Sequence, residues 1–253
     1  MSNFLIHPIV MGTKVFDKGM MTYQHDYGKP YTIPIYCWYL EGSDKKILVD
    51  TGEMSPLITE DREKAIGGRI YTFEEGLKRY GLSPENIDII IHTHLHNDHC
   101  ENDYKCKNAM IYVHEKELET IHNPHPLDFR YLYDYIEDVE ENGQIRIVTK
   151  DMEIVPGINV IHTPVHTKGG LTVLVDTPSG KASITGFCVI KENLFPPNQV
   201  KAMEMEVIPP GTLVNSYEAY DIMIKVKEMA DIIIPLHEPA YASVDTIHSP
   251  HTQ

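Results

Sequence analysis

The chain has 253 residues, of which 37 are acidic and 22 basic, for a formal net charge of -15. That excess argues against a polyanionic partner, because nucleic-acid affinity rests mainly on phosphate neutralisation by Lys and Arg. A small-molecule substrate fits better. No stretch approaches the roughly 20 apolar residues that a membrane span needs, and Met1 to Pro8 lack the basic and apolar regions of a secretion signal.

The cysteines Cys37, Cys100, Cys106 and Cys188 make no small-secreted-protein framework and read as free thiols of a cytoplasmic protein. Hydrophobic content of 42% supports a sizeable core. No repeat, linker or low-complexity tract divides the sequence, so residues 1–253 read as one domain.

In chain order, Ile33 to Leu40 reads as a strand, Gly42-Ser43-Asp44 as turn chemistry and Lys46 to Asp50 as a second strand, together a hairpin. Thr72-Phe73-Glu74-Glu75 has the form of a capping box. Phe73, Leu77 and Tyr80 follow at helical spacing, with Gly81 as the stop. Residues 87–91 form an apolar strand, Met110 to Val113 another, Glu115 to His122 a helix, and Phe129 to Val139 a further helix.

Strands are expected at 145–149, 158–162, 171–176 and 181–186. A helix at Tyr217 to Ala230 then precedes a final strand, Ile232 to Ile234. Strands arriving in two batches, each followed by helical segments, predict an α/β fold of two β-sheets with helices outside, an αββα sandwich.

The densest chemistry is His94-Leu95-His96-Asn97-Asp98-His99, just past the strand at 87–91. An extended segment alternates its faces, so His94 and His96 project to one side, and Asp98 and His99 follow at the turn. Imidazole with carboxylate suits zinc, iron or manganese. His166 and His237 each lie just past a predicted strand, and Asp50-Thr51-Gly52 closes the hairpin. His92 and His162 read as packed or supporting imidazoles, His114 as a helix start, and His248 and His251 as part of a C-terminal tail.

The order Asp50-Thr51-Gly52, His94-x-His96-x-Asp98-His99, Thr163-Pro164-x-His166 and His237 resembles the metallo-β-lactamase superfamily over roughly residues 30–240. Within it the chain is most similar to the N-acyl homoserine lactonase group. The shared features are Cys37-Trp38-Tyr39-Leu40, Ile47-Leu48-Val49-Asp50-Thr51-Gly52, Val155-Pro156-Gly157 and Lys191-Glu192-Asn193-Leu194.

The resemblance implies two divalent metal ions, zinc in the first instance with iron or manganese as alternatives. His94, His96 and His166 would hold the first, and Asp98, His99 and His237 the second. Asp50 would sit beneath the site and orient a ligand histidine; partners of this kind change affinity or activity by about 10–100-fold.

Three departures stand out. The family's bridging Asp, often in Thr-Gly-Asp, is replaced by Thr185-Gly186-Phe187-Cys188, which makes Cys188 the candidate substitute ligand. Val189 and Ile190 occupy the region where lactonases carry a tyrosine. Gly169-Gly170 stands where a second histidine is usual.

The implied reaction is opening of a lactone, or a related ester, by metal-activated water, with Asp98 as both ligand and proton carrier. Met20, Met21, Tyr23 and Tyr36 are candidates for an acyl pocket or for core. A glyoxalase II-like thioesterase shares the same ligands. A non-hydrolytic metal- or ligand-binding member is a further alternative, because the bridging Asp is missing. Superfamily nucleases fit the acidic balance poorly, and flavodiiron proteins place Glu at the second ligand position and add a flavin domain. No membrane or nucleic-acid partner is expected, and a homodimer is allowed.

Overall fold

The computed structural model describes residues 3–247, so His248 and His251 lie outside the described residues. Strands β1 (Leu5–Asp17), β2 (Pro30–Glu41), β3 (Ile47–Val49), β4 (Ile89–Ile91), β5 (Met110–His114) and β6 (Ile145–Val148) form the first sheet, side by side in that order. β7 (Met152–Val155), β8 (Ile158–His162), β9 (Leu171–Thr177), β10 (Gly180–Ile184) and β11 (Ile232–Ile234) form the second, in the order β11-β10-β9-β8-β7. Both sheets are mixed. β3 to β6 run parallel, as do β10 and β11, and the other neighbours are antiparallel.

The helices are α1 (Glu60–Ile66), α2 (Phe73–Lys78), α3 (Asn97–Cys100), α4 (Glu115–His122), α5 (Glu137–Glu141), α6 (Lys191–Leu194), α7 (Asn198–Lys201) and α8 (Ser216–Met229). None of them is long and apolar enough to cross a membrane.

Period-two alternation assigns each face. Tyr36, Trp38 and Leu40 of β2 join Ile47, Val49, Ile89 and Ile91 against Val160, Val173, Val175 and Ile184 of the second sheet. The intervening Cys37, Tyr39, Leu48 and Ile90 turn outward onto Phe73 and Leu77 of α2 and Leu118 and Ile121 of α4. The outer face of the second sheet is covered through Ile233 by Ala219, Met223 and Val226 of α8. Each fully buried aliphatic side chain contributes about 1.5–3 kcal/mol, so the two sheets are held chiefly by this inter-sheet layer.

The capping box at Thr72 forms as the sequence predicts, with Glu75 reaching back to the Thr72 amide at 3.1 Å. Several elements differ from the sequence reading, the short α3, α6 and α7 among them. β1 is a 13-residue strand over Pro8 and Gly12, a segment to which the sequence reading assigned no strand. At the sheet edge, Pro8 leaves no ladder donor missing toward a second neighbour. α1 and β7 were not anticipated. The helix expected over Phe129 to Val139 is replaced by an extended stretch, a 3-10 turn at Tyr133–Tyr135 and the short α5. Leu127 and Phe129 are largely exposed there, so this segment lacks the single buried stripe that a helix requires.

A candidate metal centre at the strand ends

Parallel pairing of β3 with β4, and of β10 with β11, brings the C-terminal ends of these strands to one edge of the sandwich. The Thr93 carbonyl accepts the Leu171 amide at 2.8 Å, tying the segment after β4 to the start of β9 across the two sheets. At the end of β3, Asp50 adopts a left-handed backbone (φ 56°), which Asp tolerates better than most residues. Its fully buried carboxylate accepts from the Thr93 amide (2.8 Å), Thr93 Oγ1 (2.7 Å), His92 Nδ1 (3.3 Å) and His99 Nδ1 (2.9 Å). Gly52 has φ 70°, and a Cβ there would run into the Met11 side chain, so the Asp-Thr-Gly turn admits only glycine.

Five histidines converge above Asp50. In each, one ring nitrogen faces an oxygen that accepts its hydrogen bond. His99 Nδ1 donates to Asp50, His237 Nδ1 to the Pro34 carbonyl at 3.0 Å and His166 Nδ1 to the Thr212 carbonyl at 2.8 Å. His96 Nε2 donates to Asp128 at 3.2 Å. His94 Nδ1 lies 3.0 Å from the Thr93 hydroxyl, whose own hydrogen goes to Asp50, so this ring nitrogen is the donor too.

In a neutral imidazole the opposite nitrogen then carries a lone pair. It is Nδ1 in His96 and Nε2 in the other four. The candidate ligand atoms of His94, His96 and His166 all lie within 4.8 Å of one another, and all three rings are buried. His166 Nε2 and His96 Nδ1 approach to 3.2 Å as two lone pairs, an arrangement that a cation relieves. The donor set therefore fits a metal ion.

Burial, then neighbouring imidazoles, hold His94 and His166 well below the ordinary histidine range. The same causes bring His237 to about 4. Burial lowers His96 as well. His99 is the exception: burial pushes it down, but Asp50 and Asp98 outweigh this and raise it. Burial raises the Asp98 carboxyl, while His99, His237 and His96 lower it further, so it remains a carboxylate.

Of the residues proposed from sequence, His94, His96 and His166 form the compact group. Asp98, His99 and His237 stand beside it, with Asp98 Oδ1 3.9 Å from His99 Nε2 and the His99 and His237 rings 5.4 Å apart. Among the described residues no second compact metal-ligand cluster occurs. Phe187, at the bridging position, is wholly buried among Val165, Val189 and Leu194. Cys188 packs with Met21, Ile33, Ile35 and Ile190; its Sγ lies 3.7 Å from Met21 Sδ, and burial raises its thiol to about 12.

His92 bonds a carboxylate through each nitrogen, Asp50 and, at 2.7 Å, Asp103. Burial lowers its affinity for a proton, but Asp103 and then Asp50 outweigh this and lift it to about 10. It is a supporting cation, not a ligand. His162 stacks on His114 with ring centroids 4.1 Å apart, and His114 caps α4.

Several supporting residues carried no sequence signal. Glu117, in the first turn of α4, is buried and accepts from the Leu95 amide (2.9 Å), Tyr131 Oη (2.9 Å) and the Gly169 amide (2.9 Å). It thereby clamps the loops that bear His96 and His166. A Cβ on Gly169 would stand 2.7 Å from the Glu117 amide, so no larger residue fits there. Asp128, Arg130 and Thr212 come from loops and Asp103 from a 3-10 turn, and their spacing to the histidines follows no local period.

A cavity of about 900 Å³ opens onto His166. None of the suggested acyl-pocket residues lines it. Met21 and Tyr36 are buried in the core, and Met20 and Tyr23 lie elsewhere.

Residues 31–186 match the family profile described as the metallo-beta-lactamase superfamily. The chain belongs to that superfamily. Membership carries a divalent-metal centre with it, in agreement with the histidine cluster.

An N-acyl homoserine lactonase of Bacillus sp. is 31% identical over 175 residues, 62% of this chain and 65% of that protein. The alignment thus spans just under two thirds of that relative's length. A probable metallo-hydrolase of Methanocaldococcus jannaschii is 30% identical over 194 residues, 76% of this chain and 70% of its own. An N-acyl homoserine lactone hydrolase structure, holding N-hexanoyl-L-homoserine at its catalytic metal centre, superposes with a TM-score of 0.72. That pair is 24% identical and covers 94% of both chains, which establishes the shared fold.

Proposed function

We propose that this chain is a metal-dependent hydrolase that opens a lactone or a related carboxylic ester. The carrying observation is the histidine centre, in which each ring has one nitrogen tied to a fixed acceptor and the other left with its lone pair. The likeness to the Bacillus lactonases supports the choice of a lactone. His94, His96 and His166 would hold a first ion, and Asp98, His99 and His237 a second, weaker one, with zinc the expected metal. When bound, such ions polarise a carbonyl and make water acidic enough to ionise near neutral pH.

The chain's own contribution is positioning and proton transfer. Asp50 holds His99 directly and His94 through Thr93, which fixes which nitrogen of each ring carries the proton. The Asp98 carboxylate accepts the proton of the attacking water as its oxygen bonds to the carbonyl carbon. It returns that proton to the leaving alkoxide as the ester C–O bond breaks, giving a hydroxy acid. Phe187 in place of the bridging carboxylate leaves the two ion positions without a shared ligand, which makes the second site the weaker.

The test is elemental analysis of metal per chain, paired with titration of acid released from N-hexanoyl homoserine lactone. Metal-dependent acid release, abolished in His96→Ala together with loss of metal, is expected. Full turnover with unchanged metal in His96→Ala would sink the reading.

A further inference from the structure

We infer that the substrate carries a carboxylate set apart from the bond to be broken, and that Arg130 is the residue that binds it. The inference rests on the hydrolase reading and narrows its substrate.

The cavity over His166 is an unfavourable home for a long acyl chain. Pro164, Leu213 and Val214 are its only aliphatic lining, whereas ligand sites for apolar groups are lined predominantly by hydrophobic side chains. Three cations face it instead: Arg130, Lys116 and Lys168. They are matched in number by Glu119, Asp128 and Glu218 of the same lining, so the wall is charge-balanced, against a net charge of -15 for the chain.

Arg130 is the best placed of the three. Its Nε donates to Asp128 Oδ1 at 2.7 Å, and the other oxygen of Asp128 holds His96 at 3.2 Å. The guanidinium is therefore anchored along one edge, and its charge is felt at His96, His166 and Cys188. Among the described residues neither terminal amine has a hydrogen-bond partner, and the side chain keeps 31% of its exposure. A guanidinium held by Nε and open at its terminal amines presents the fork that matches a carboxylate through two parallel bonds.

Lys116 and Lys168 make no ion pair among the described residues, so the assignment rests on Arg130, with these two lysines offsetting Glu119 and Glu218 in the lining. The acidic residues lining the cavity are Asp128, Glu119 and Glu218. Asp128 is already engaged by His96 and Arg130, and the two glutamates project from α4 and α8, not from the loop that carries Arg130.

The decisive experiment uses the metal-loaded protein and two matched esters, para-nitrophenyl hydrogen glutarate and its para-nitrophenyl methyl glutarate counterpart. The wild type should favour the free acid in kcat/KM by about tenfold or more, the scale of a charge-assisted paired contact. Arg130→Gln should bring the ratio close to one, chiefly through KM. Arg130→Lys, which keeps the charge and the Asp128 pair but loses the fork, should give an intermediate ratio. It also serves as the test if Arg130→Gln does not fold.

A wild-type ratio near one, or a ratio that neither variant changes, overturns the assignment of Arg130 while leaving the hydrolase reading intact. If neither ester is hydrolysed, the hydrolase reading is decided separately by acid release from the lactone. The anion site is then decided by calorimetric titration of glutarate into the metal-loaded wild type and the same variants. Affinity about tenfold weaker without the arginine supports the site, and equal affinity overturns it.

Discussion

His166 Nε2 lies 3.2 Å from His96 Nδ1, and the proton of each ring is fixed on its far side by Thr212 and Asp128. Two lone pairs held this close repel each other, and the repulsion is removed by a shared cation. His166→Ala should therefore lower bound metal as severely as His96→Ala does. Unfolding followed with and without added zinc should show that the stabilisation by metal is lost in both variants. Metal-dependent stabilisation equal to wild type in either variant would place the ion elsewhere.

Asp50 bears the weight of the centre's geometry, because it accepts four hydrogen bonds in full burial. Asp50→Asn keeps the shape but cannot accept from all four donors. A 10–100-fold loss in metal affinity is expected, of the order found for such supporting carboxylates. Asp50→Ala leaves the buried His99 and Thr93 donors without their acceptor, while His92 keeps Asp103, and should cost about 3–5 kcal/mol of stability. Denaturant midpoints and metal titrations check both.

Glu117 couples the two loops of the metal centre without touching either histidine. Glu117→Gln supplies a donor group where only acceptors serve the Leu95 and Gly169 amides. It should lower stability by about 1–3 kcal/mol and weaken metal binding together. A variant that is less stable yet retains metal at wild-type affinity would limit Glu117 to a packing role.

Cys188 sits among apolar side chains with its thiol pushed up to about 12, so it is held as a thiol. Cys188→Ser is expected to leave the number of metals per chain unchanged. A clear fall in stoichiometry would instead make the thiolate a substitute for the missing bridging Asp.

His114 provides a pH test away from the metal centre. Burial and the adjacent His162 depress it to about 4, against an ordinary value of 6.5. The neutral form is favoured on folding, so no penalty exists above pH 6.5, and stability falls as the pH drops from there toward 4. His114→Asn keeps an acceptor for the α4 cap and removes the titration, so its stability should decline less over that window than the wild type's. Urea unfolding at a series of pH values measures the difference, and parallel curves would exclude His114 as a contributor.

The elements read most directly from sequence were those with strong local signals. The Thr72 capping box, α4 at Glu115–His122 and β11 at Ile232–Ile234 are set by caps and short apolar runs. β1 was hidden because most of its length is buried without alternation, and α1 because its surface is largely charged and exposed. The 129–139 segment has apolar residues but no common face for them, since Phe129 and Leu132 are exposed while Tyr131, Ile136 and Val139 are buried.

The sequence by itself carried the candidate ligand chemistry proposed for this protein. His94, His96, Asp98 and His99 are close in the chain, and extended geometry followed by a turn leaves them few ways not to converge. The tertiary structure alone decided which distant groups complete the centre. His166 and His237 arrive through the packing of a second sheet and the parallel pairing of β10 with β11. Asp128, Arg130, Thr212 and Glu117 are brought in by loops and helix packing. Local spacing fixes only the side of a strand a residue faces. Which nitrogen carries a proton, whether a thiol ionises and where a cation stands free depend on neighbours tens of residues away.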